Sequence, residues 1–357
     1  MTESRENTSP ESIQSMGDPS PCRAPNPDAL LSINNLRTYF RTDEGIIKAV
    51  DDVSFEIKKG EALGVVGESG SGKSVTALSV MRLIQKPGKI EGGCCFFKGT
   101  DLLTLSDGKM RRIRGNNIAM IFQDPMTSLN PLMSIGDQIC ETVMLHQKVR
   151  KKEAWEIGIG MLKKVRMPLP EERMRAYPFE MSGGMRQRAM IAMALSCNPE
   201  LLIADEPSTA LDVTIQAQIL ELISDLQCDT GMSVWMITHD LGVVAETCTR
   251  VIVMYAGMVM EEATSERIFH EPLHPYTIGL LNCLPRVDEK RDRLTPIVGQ
   301  PPNLAKLPPG CPFVERCDKS SMTKLGKSHC HDCLPPEKVL NNNRRVRCWL
   351  YSSASAK

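Results

Sequence analysis

The 357-residue sequence predicts an α/β protein built on a parallel sheet with helices on both faces. Two observations carry this. Short, continuous apolar runs recur along the chain and alternate with segments of helical spacing. One of those runs leads straight into a glycine-rich turn that is followed by a helical pattern, the strand–loop–helix order of a nucleotide-binding sheet.

The elements follow in chain order. Residues 1 to about 27 are rich in Ser, Pro, Glu and Asn and are expected to be a disordered leader. From Leu30, LSINNL and AVDDVSFEI alternate as half-buried strands do. ALGVV (62–66) is a buried strand ahead of the glycine-rich turn, and TALSVMRLI (76–84) has helical spacing. IAMIF (118–122), LLIAD (201–205), SVWMIT (233–238) and VIVMYAG, starting at 251, are further buried strands. Between Pro125 and Pro178 the strand signal vanishes. IGDQICETVML and KKEAWEIGIGMLKKV read as amphipathic helices, so a helical insertion is expected at about 125–178 within a nucleotide-binding domain at 28–274. After Pro272 come HPYTIGLL, the proline-rich VGQPPNLAKLPPG and five cysteines, which define a small C-terminal region at 275–357.

Composition narrows the function classes. Lys+Arg and Asp+Glu both total 43, so zero net charge argues against a bulk nucleic-acid binder. Aromatic residues make up 4%, too few for a base-stacking platform. The longest apolar run, VIVMYAGMVM (251–260), is too short to span a bilayer. The start of the sequence lacks a signal-peptide pattern, so a soluble chain in a reducing compartment is expected. There the 13 cysteines read as thiols, or as metal ligands where they cluster, rather than as a disulfide framework.

GESGSGKS, residues 67–74, fits G-x-x-x-x-G-K-[ST] in its required context. Backbone N–H groups of Gly67, Glu68, Ser69, Gly70, Ser71 and Gly72 are expected to curl around phosphate oxygens, aided by the helix dipole. Lys73 would reach the β and γ phosphates of ATP, and the Ser74 hydroxyl would bind Mg²⁺. LLIADE puts Asp205 at the C-terminal end of a buried strand, where ligands sit in open sheets. Asp205 is expected to hold Mg²⁺, and Glu206 to take a proton from the attacking water. Gln123, after IAMIF, would touch Mg²⁺ and the water, and His239, after WMIT, would sense the γ phosphate.

GESGSGKS, IFQDP, MSGGMRQR, LLIADEPSTALD and MITHD stand in the order of the ATP-binding-cassette ATPases, and about residues 30–350 resemble that superfamily. The resemblance implies a P-loop ABC core of RecA-like parallel sheet plus antiparallel β subdomain, a helical signature subdomain and a head-to-tail dimer. MSGGM stands at the position whose usual form is LSGGQ, differing at Met181 and Met185. Ser182, Gly183 and Gly184 would then cradle the γ phosphate of an ATP held by another chain. STALD (208–212) would be the D-loop, with Asp212 near the seam. Phe40, or else Tyr39, would stack on adenine.

IFQDPMTSLNP, SGGMRQRAMIAMAL, HPYTIGLL and GQPPNL followed by GCPF and RVRCWL resemble the D-type ATPase subunit of bacterial oligopeptide and dipeptide permeases. That implies an ATPase peripheral to the cytoplasmic face of the inner membrane, energising peptide uptake. Its implied partners are a second, non-identical ATPase, two membrane permeases and a peptide-binding protein. An importer ATPase for nickel, sugar or glutathione is the alternative, and a soluble cassette regulator a more distant one. The group's C-terminal four-cysteine pattern implies an iron–sulfur cluster or another metal site. Four thiolates suit [4Fe–4S] or Zn²⁺. Cys311, Cys317, Cys330 and Cys348 are the favoured set, with Cys333 competing with Cys330, and His329 and His331 as ligands only if the metal is zinc. The adjacent Cys94 and Cys95 cannot easily share a tetrahedral site.

Overall fold

A computed structural model of the chain describes residues 24, 26–207, 212–283, 296–323, 326–341 and 344–351. Residues 1–23 and 25, most of the expected leader, lie outside the described residues.

The N-terminal half opens with an antiparallel hairpin, β1 (Ala29–Thr42) and β2 (Gly45–Lys58). Leu31, Ile33, Leu36, Val53, Phe55 and Ile57 form its buried face. Next come β3 (Ala62–Val66), α1 (Lys73–Val80), β4 (Gly88–Phe97), β5 (Thr100–Asp101), α2 (Asp107–Ile113) and β6 (Ile118–Ile121). β4 pairs with β1, and β5 completes a four-stranded antiparallel sheet of order β2-β1-β4-β5.

Helices then dominate: α3 (Pro125–Ser128), α4 (Ile135–Gln147), α5 (Lys151–Lys164), α6 (Pro170–Arg173) and α7 (Gly183–Leu195). Ser134 caps α4 by accepting from the Asp137 amide at 3.1 Å, while its hydroxyl donates to the Asp137 carboxylate at 2.8 Å. Ile135, Ile139, Cys140 and Val143 then fall on one face of α4 at helical spacing and bury against Ala154, Met161 and Leu162 of α5.

The remaining elements are β7 (Leu201–Asp205), α8 (Val213–Thr230), β8 (Ser233–Thr238), α9 (Leu241–Thr247), β9 (Arg250–Tyr255), β10 (Met258–Thr264), α10 (Ser265–His270), α11 (Pro275–Asn282), α12 (Gly326–Asp332), β11 (Glu337–Leu340) and β12 (Arg344–Arg347). They build an eight-stranded sheet of order β11-β12-β10-β9-β3-β8-β7-β6. Its five strands from β9 to β6 run parallel, and β10, β12 and β11 add antiparallel at one side. β3, β7 and β8 are buried along their whole length, which is why their sequences are unbroken apolar runs without alternation. Phe55 of β2 meets Trp235 of β8 edge-on at 5.2 Å and locks the two sheets together.

Candidate nucleotide-binding and catalytic site

The loop between β3 and α1 is folded tightly between β2 and β9. Gly72 has φ +98°, and a Cβ there would stand 2.3 Å from the Ala49 carbonyl oxygen. At Gly67 a Cβ would stand 2.2 Å from the Met254 carbonyl oxygen. Only glycine allows so close a backbone approach. Inside the loop, Lys73 Nζ donates to the carbonyls of Gly67 at 2.7 Å and Glu68 at 2.9 Å, and to Ser71 Oγ at 3.3 Å. Burial pulls the Lys73 ammonium below its usual range, and the charges of Glu206, Asp205 and Glu68 oppose that shift.

Ser74, on the first turn of α1, donates from Oγ to Asp205 Oδ1 at 2.8 Å. Asp205 ends β7 and is buried. Burial pushes its carboxyl up to about 6, reinforced by Glu206 and opposed by the Ser74 hydrogen bond and by Lys73. A hydroxyl and a carboxylate in contact at the head of the phosphate loop form a hard oxygen pair of the kind Mg²⁺ takes.

Glu206 follows directly. Its backbone is left-handed, φ 47°, and its amide donates to the Ile237 carbonyl at 2.8 Å. That sparsely populated conformation is local strain held by the flanking strands. The carboxylate takes Gln123 Nε2 at 2.9 Å on one oxygen and lies 3.0 Å from His239 Nδ1 on the other. Three strand ends, β6, β7 and β8, thus bring Gln123, Glu206 and His239 into one constellation. Beside it, Asp240 caps α9 through the Gly242 amide at 2.8 Å.

The adenine candidates separate clearly. The Tyr39 ring is buried and its hydroxyl donates to Asp51 at 2.6 Å; burial is the main cause that drives its pKa up. Phe40 is half-buried, and its ring edge packs against Gly88. Ser182 is the N-cap of α7 and accepts from the Met185 amide at 3.4 Å, so Gly183 and Gly184 form the helix's first turn. Met181 is buried, and Met185 packs against the core from a half-buried position. Residues 208–211 of STALD lie outside the described residues. Asp212 caps α8 through the Ile215 amide at 3.0 Å.

Residues 50–209 match the ABC transporter family, and residues 260–323 match the C-terminal region of oligopeptide/dipeptide transporters. Over 296 residues the chain is 52% identical to the oligopeptide transport ATP-binding protein OppD of Salmonella typhimurium, covering 83% of this chain and 88% of that one. This chain belongs to the ABC transporter ATP-binding family. It is also 50% identical to the dipeptide transport ATP-binding protein DppD of Bacillus subtilis, over 90% of this chain and 95% of that one. The dimeric cassette MJ0796, solved in a post-hydrolysis state with ADP and Pi, superposes with a TM-score of 0.60 at 28% identity, covering 66% of this chain and 98% of that one. The protein is accordingly an ABC ATPase that uses ATP and Mg²⁺. Among the described residues no helix is long and apolar enough to cross a membrane.

The metal expectation for the cysteines finds no support among the described residues. Cys311, Cys317, Cys330 and Cys348 of this ABC ATPase do wall one cavity, together with His274 and Phe313. Cys333 is exposed and does not line it. His329 lies edge-on to Trp349 at 4.4 Å, and His331 is at the surface beside Asp332. Yet among the described residues no three His, Cys, Asp or Glu are grouped to hold a metal ion. The cavity, about 20 Å³, has room for roughly one water. Burial pushes Cys311 up to about 12 and Cys348 up to about 11. His274, fully enclosed and held near 3 by burial, is neutral. The described geometry is a thiol-walled pocket that lends an iron–sulfur or zinc site no support.

Two features had no sequence signal. Gln187, buried in α7, donates from Nε2 to the Pro207 carbonyl and ties the signature helix to the chain just beyond Glu206. Arg316 and Tyr276 reach the phosphate loop from the C-terminal region. Neither contact has a local pattern, because each joins residues distant in sequence.

Proposed function

We propose that this ABC ATPase hydrolyses ATP to energise import of oligopeptides or dipeptides across the bacterial inner membrane. The match of residues 260–323 to the C-terminal region of oligopeptide/dipeptide transporters carries this reading, and the OppD and DppD likenesses support it. In this reading the chain sits at the cytoplasmic face with two permeases, a second, non-identical ATPase and an external peptide-binding protein. The helical segment at 125–178 docks a permease. Met126 and Leu132, 58% and 86% exposed just beyond Gln123, leave an apolar surface there that suits a protein partner.

The proposed roles follow from the contacts. The loop 67–74 binds the phosphates, with Lys73 turning from the loop carbonyls to the β and γ oxygens. Ser74, Asp205 and Gln123 would hold Mg²⁺, which would supply charge neutralisation to the triphosphate. Phe40 stacks on adenine. The Glu206 carboxylate accepts a proton from water as the water oxygen bonds to the γ phosphorus. The β–γ bridging bond breaks, and its electron pair leaves with ADP. His239 holds Glu206 and faces the γ phosphate. Ser182, Gly183 and Gly184 of one chain close over ATP seated on the loop of another, with a helix N-terminus aimed at the polyanion. Cys311, Cys317, Cys330 and Cys348 are the donor set for an iron–sulfur or zinc group only if the pocket opens on loading, and no step depends on it.

Proteoliposomes carrying the two permeases and both ATPases, supplied with the binding protein, test the reading. They should accumulate a radiolabelled tripeptide in an ATP-dependent way. ATP turnover without tripeptide uptake or stimulation by peptide-loaded binding protein would reject the peptide assignment.

A further inference from the structure

The phosphate loop is gripped by a residue that belongs to none of the nucleotide-site motifs. Arg316 donates from Nη1 to Glu68 Oε2 at 2.6 Å and from Nη2 to Glu68 Oε1 at 3.0 Å. Nη1 also reaches the Tyr255 hydroxyl at 3.2 Å, and Nε reaches the Val298 carbonyl at 3.3 Å. The guanidinium lies 5.8 Å from the Tyr255 ring centre and 5.9 Å from that of Phe313. Its side chain is only 6% exposed. The planar fork is therefore fixed in orientation before it meets the carboxylate.

Glu68 is engaged at every polar group. Its amide donates to the Tyr276 hydroxyl at 2.8 Å, and its carbonyl accepts from Lys73 at 2.9 Å. Two of these three holds come from residues beyond 274. The third is the carbonyl that orients the phosphate-binding lysine. Glu68 is also an anion in a loop that must receive a polyanion, and left bare it would repel the triphosphate.

We propose that Arg316 is a positioning residue for nucleotide binding. It neutralises Glu68 and fixes the loop peptide that aims Lys73, so the C-terminal region sets the affinity for ATP. This holds whatever substrate the transporter carries.

The test uses the full chain, with equilibrium binding of a fluorescent ATP analogue, steady-state KM and kcat, and thermal unfolding as the folding control. Arg316→Met should raise KM and Kd about tenfold, the scale of losing a charge-assisted bidentate contact, with a much smaller change in kcat. Arg316→Lys should give a smaller rise in the same direction. Adding Glu68→Gln to Arg316→Met should recover most of the lost affinity, because the uncompensated anion is gone. An unchanged KM in a folded Arg316→Met chain would overturn the proposal, as would a double variant as weak as the single one. If Arg316→Met does not fold, Arg316→Lys decides: wild-type KM and Kd in that variant would overturn it equally.

Discussion

Replacing Glu206 with glutamine tests the chemistry at a single atom. The carboxylate holds Gln123 at 2.9 Å and His239 at 3.0 Å, and the substitution keeps the shape of the side chain while removing its basicity. Lys73, Ser74 and Asp205 are untouched, so the groups assigned to phosphate and Mg²⁺ remain in place. Loss of a positioned general base costs about 10²–10⁴-fold in rate, roughly 3–5 kcal/mol of barrier at 1.36 kcal/mol per decade. Glu206→Gln should therefore bind ATP within about threefold of wild type and turn it over at least about 100-fold more slowly. Phosphate release at saturating ATP gives the rate, and equilibrium dialysis with labelled ATP gives the affinity. Near-normal turnover would remove Glu206 from the base role. Lost binding together with lost turnover would mean that the side chain holds the site together rather than performing the chemistry.

In its proposed Mg²⁺ role, Asp205 should make the site sensitive to acid. With its carboxyl at about 6, Mg²⁺ must displace a proton below that pH, so Mg²⁺–nucleotide affinity should fall by up to about tenfold per unit below pH 6. Asp205→Asn should flatten that dependence, as titration calorimetry across pH 5–8 would show. The nucleotide-free fold responds in the opposite sense. A carboxyl raised above its unfolded value of 3.8 contributes stability below that value and loses it as pH rises through about 6, which thermal melts would resolve against Asp205→Asn. Gly72→Ala forces a methyl group against the Ala49 carbonyl at a left-handed position. It should lower stability by about 2–4 kcal/mol in denaturant melts and abolish ATP binding. Finally, the chain purified without oxygen should be brown and carry iron if the thiol pocket opens to take a cluster; a colourless, metal-free, folded sample removes the cluster.

Much of this was readable because the relevant signals are local. β3, β7 and β8 are short runs buried on every side, so their residues are apolar without interruption and their limits fall where polarity returns. The residues proposed for catalysis were picked out by the same rule, since Gln123, Asp205, Glu206 and His239 stand at or just past the carboxyl ends of such runs. Other elements were hidden. β4 carries Gly92 and Gly93 in its middle, which weakens any strand pattern. VIVMYAGMVM reads as one run but is a hairpin, β9 turning into β10 at Ala256 and Gly257 with φ of 48° and 80°. Both turn residues take positive φ, as a tight hairpin demands, and alanine in that role gives no warning. Arg316 was illegible for a different reason: its partner lies 248 residues upstream, and only the folded chain brings them together.

The last strands of the chain have a protective consequence. β12 covers β10 through the pairs Glu261–Val346 and Glu262–Arg345, and the four-residue β11 becomes the outer margin of the sheet. Arg250 and Arg345 both clasp Glu262 and stitch that margin to the interior. A polypeptide cut short before residue 337 would leave Met258–Thr264, with six of its seven residues buried in the intact fold, as an open template of unpaired amides and carbonyls. Self-association through that bare rim would follow, so β11 and β12 serve solubility as much as architecture.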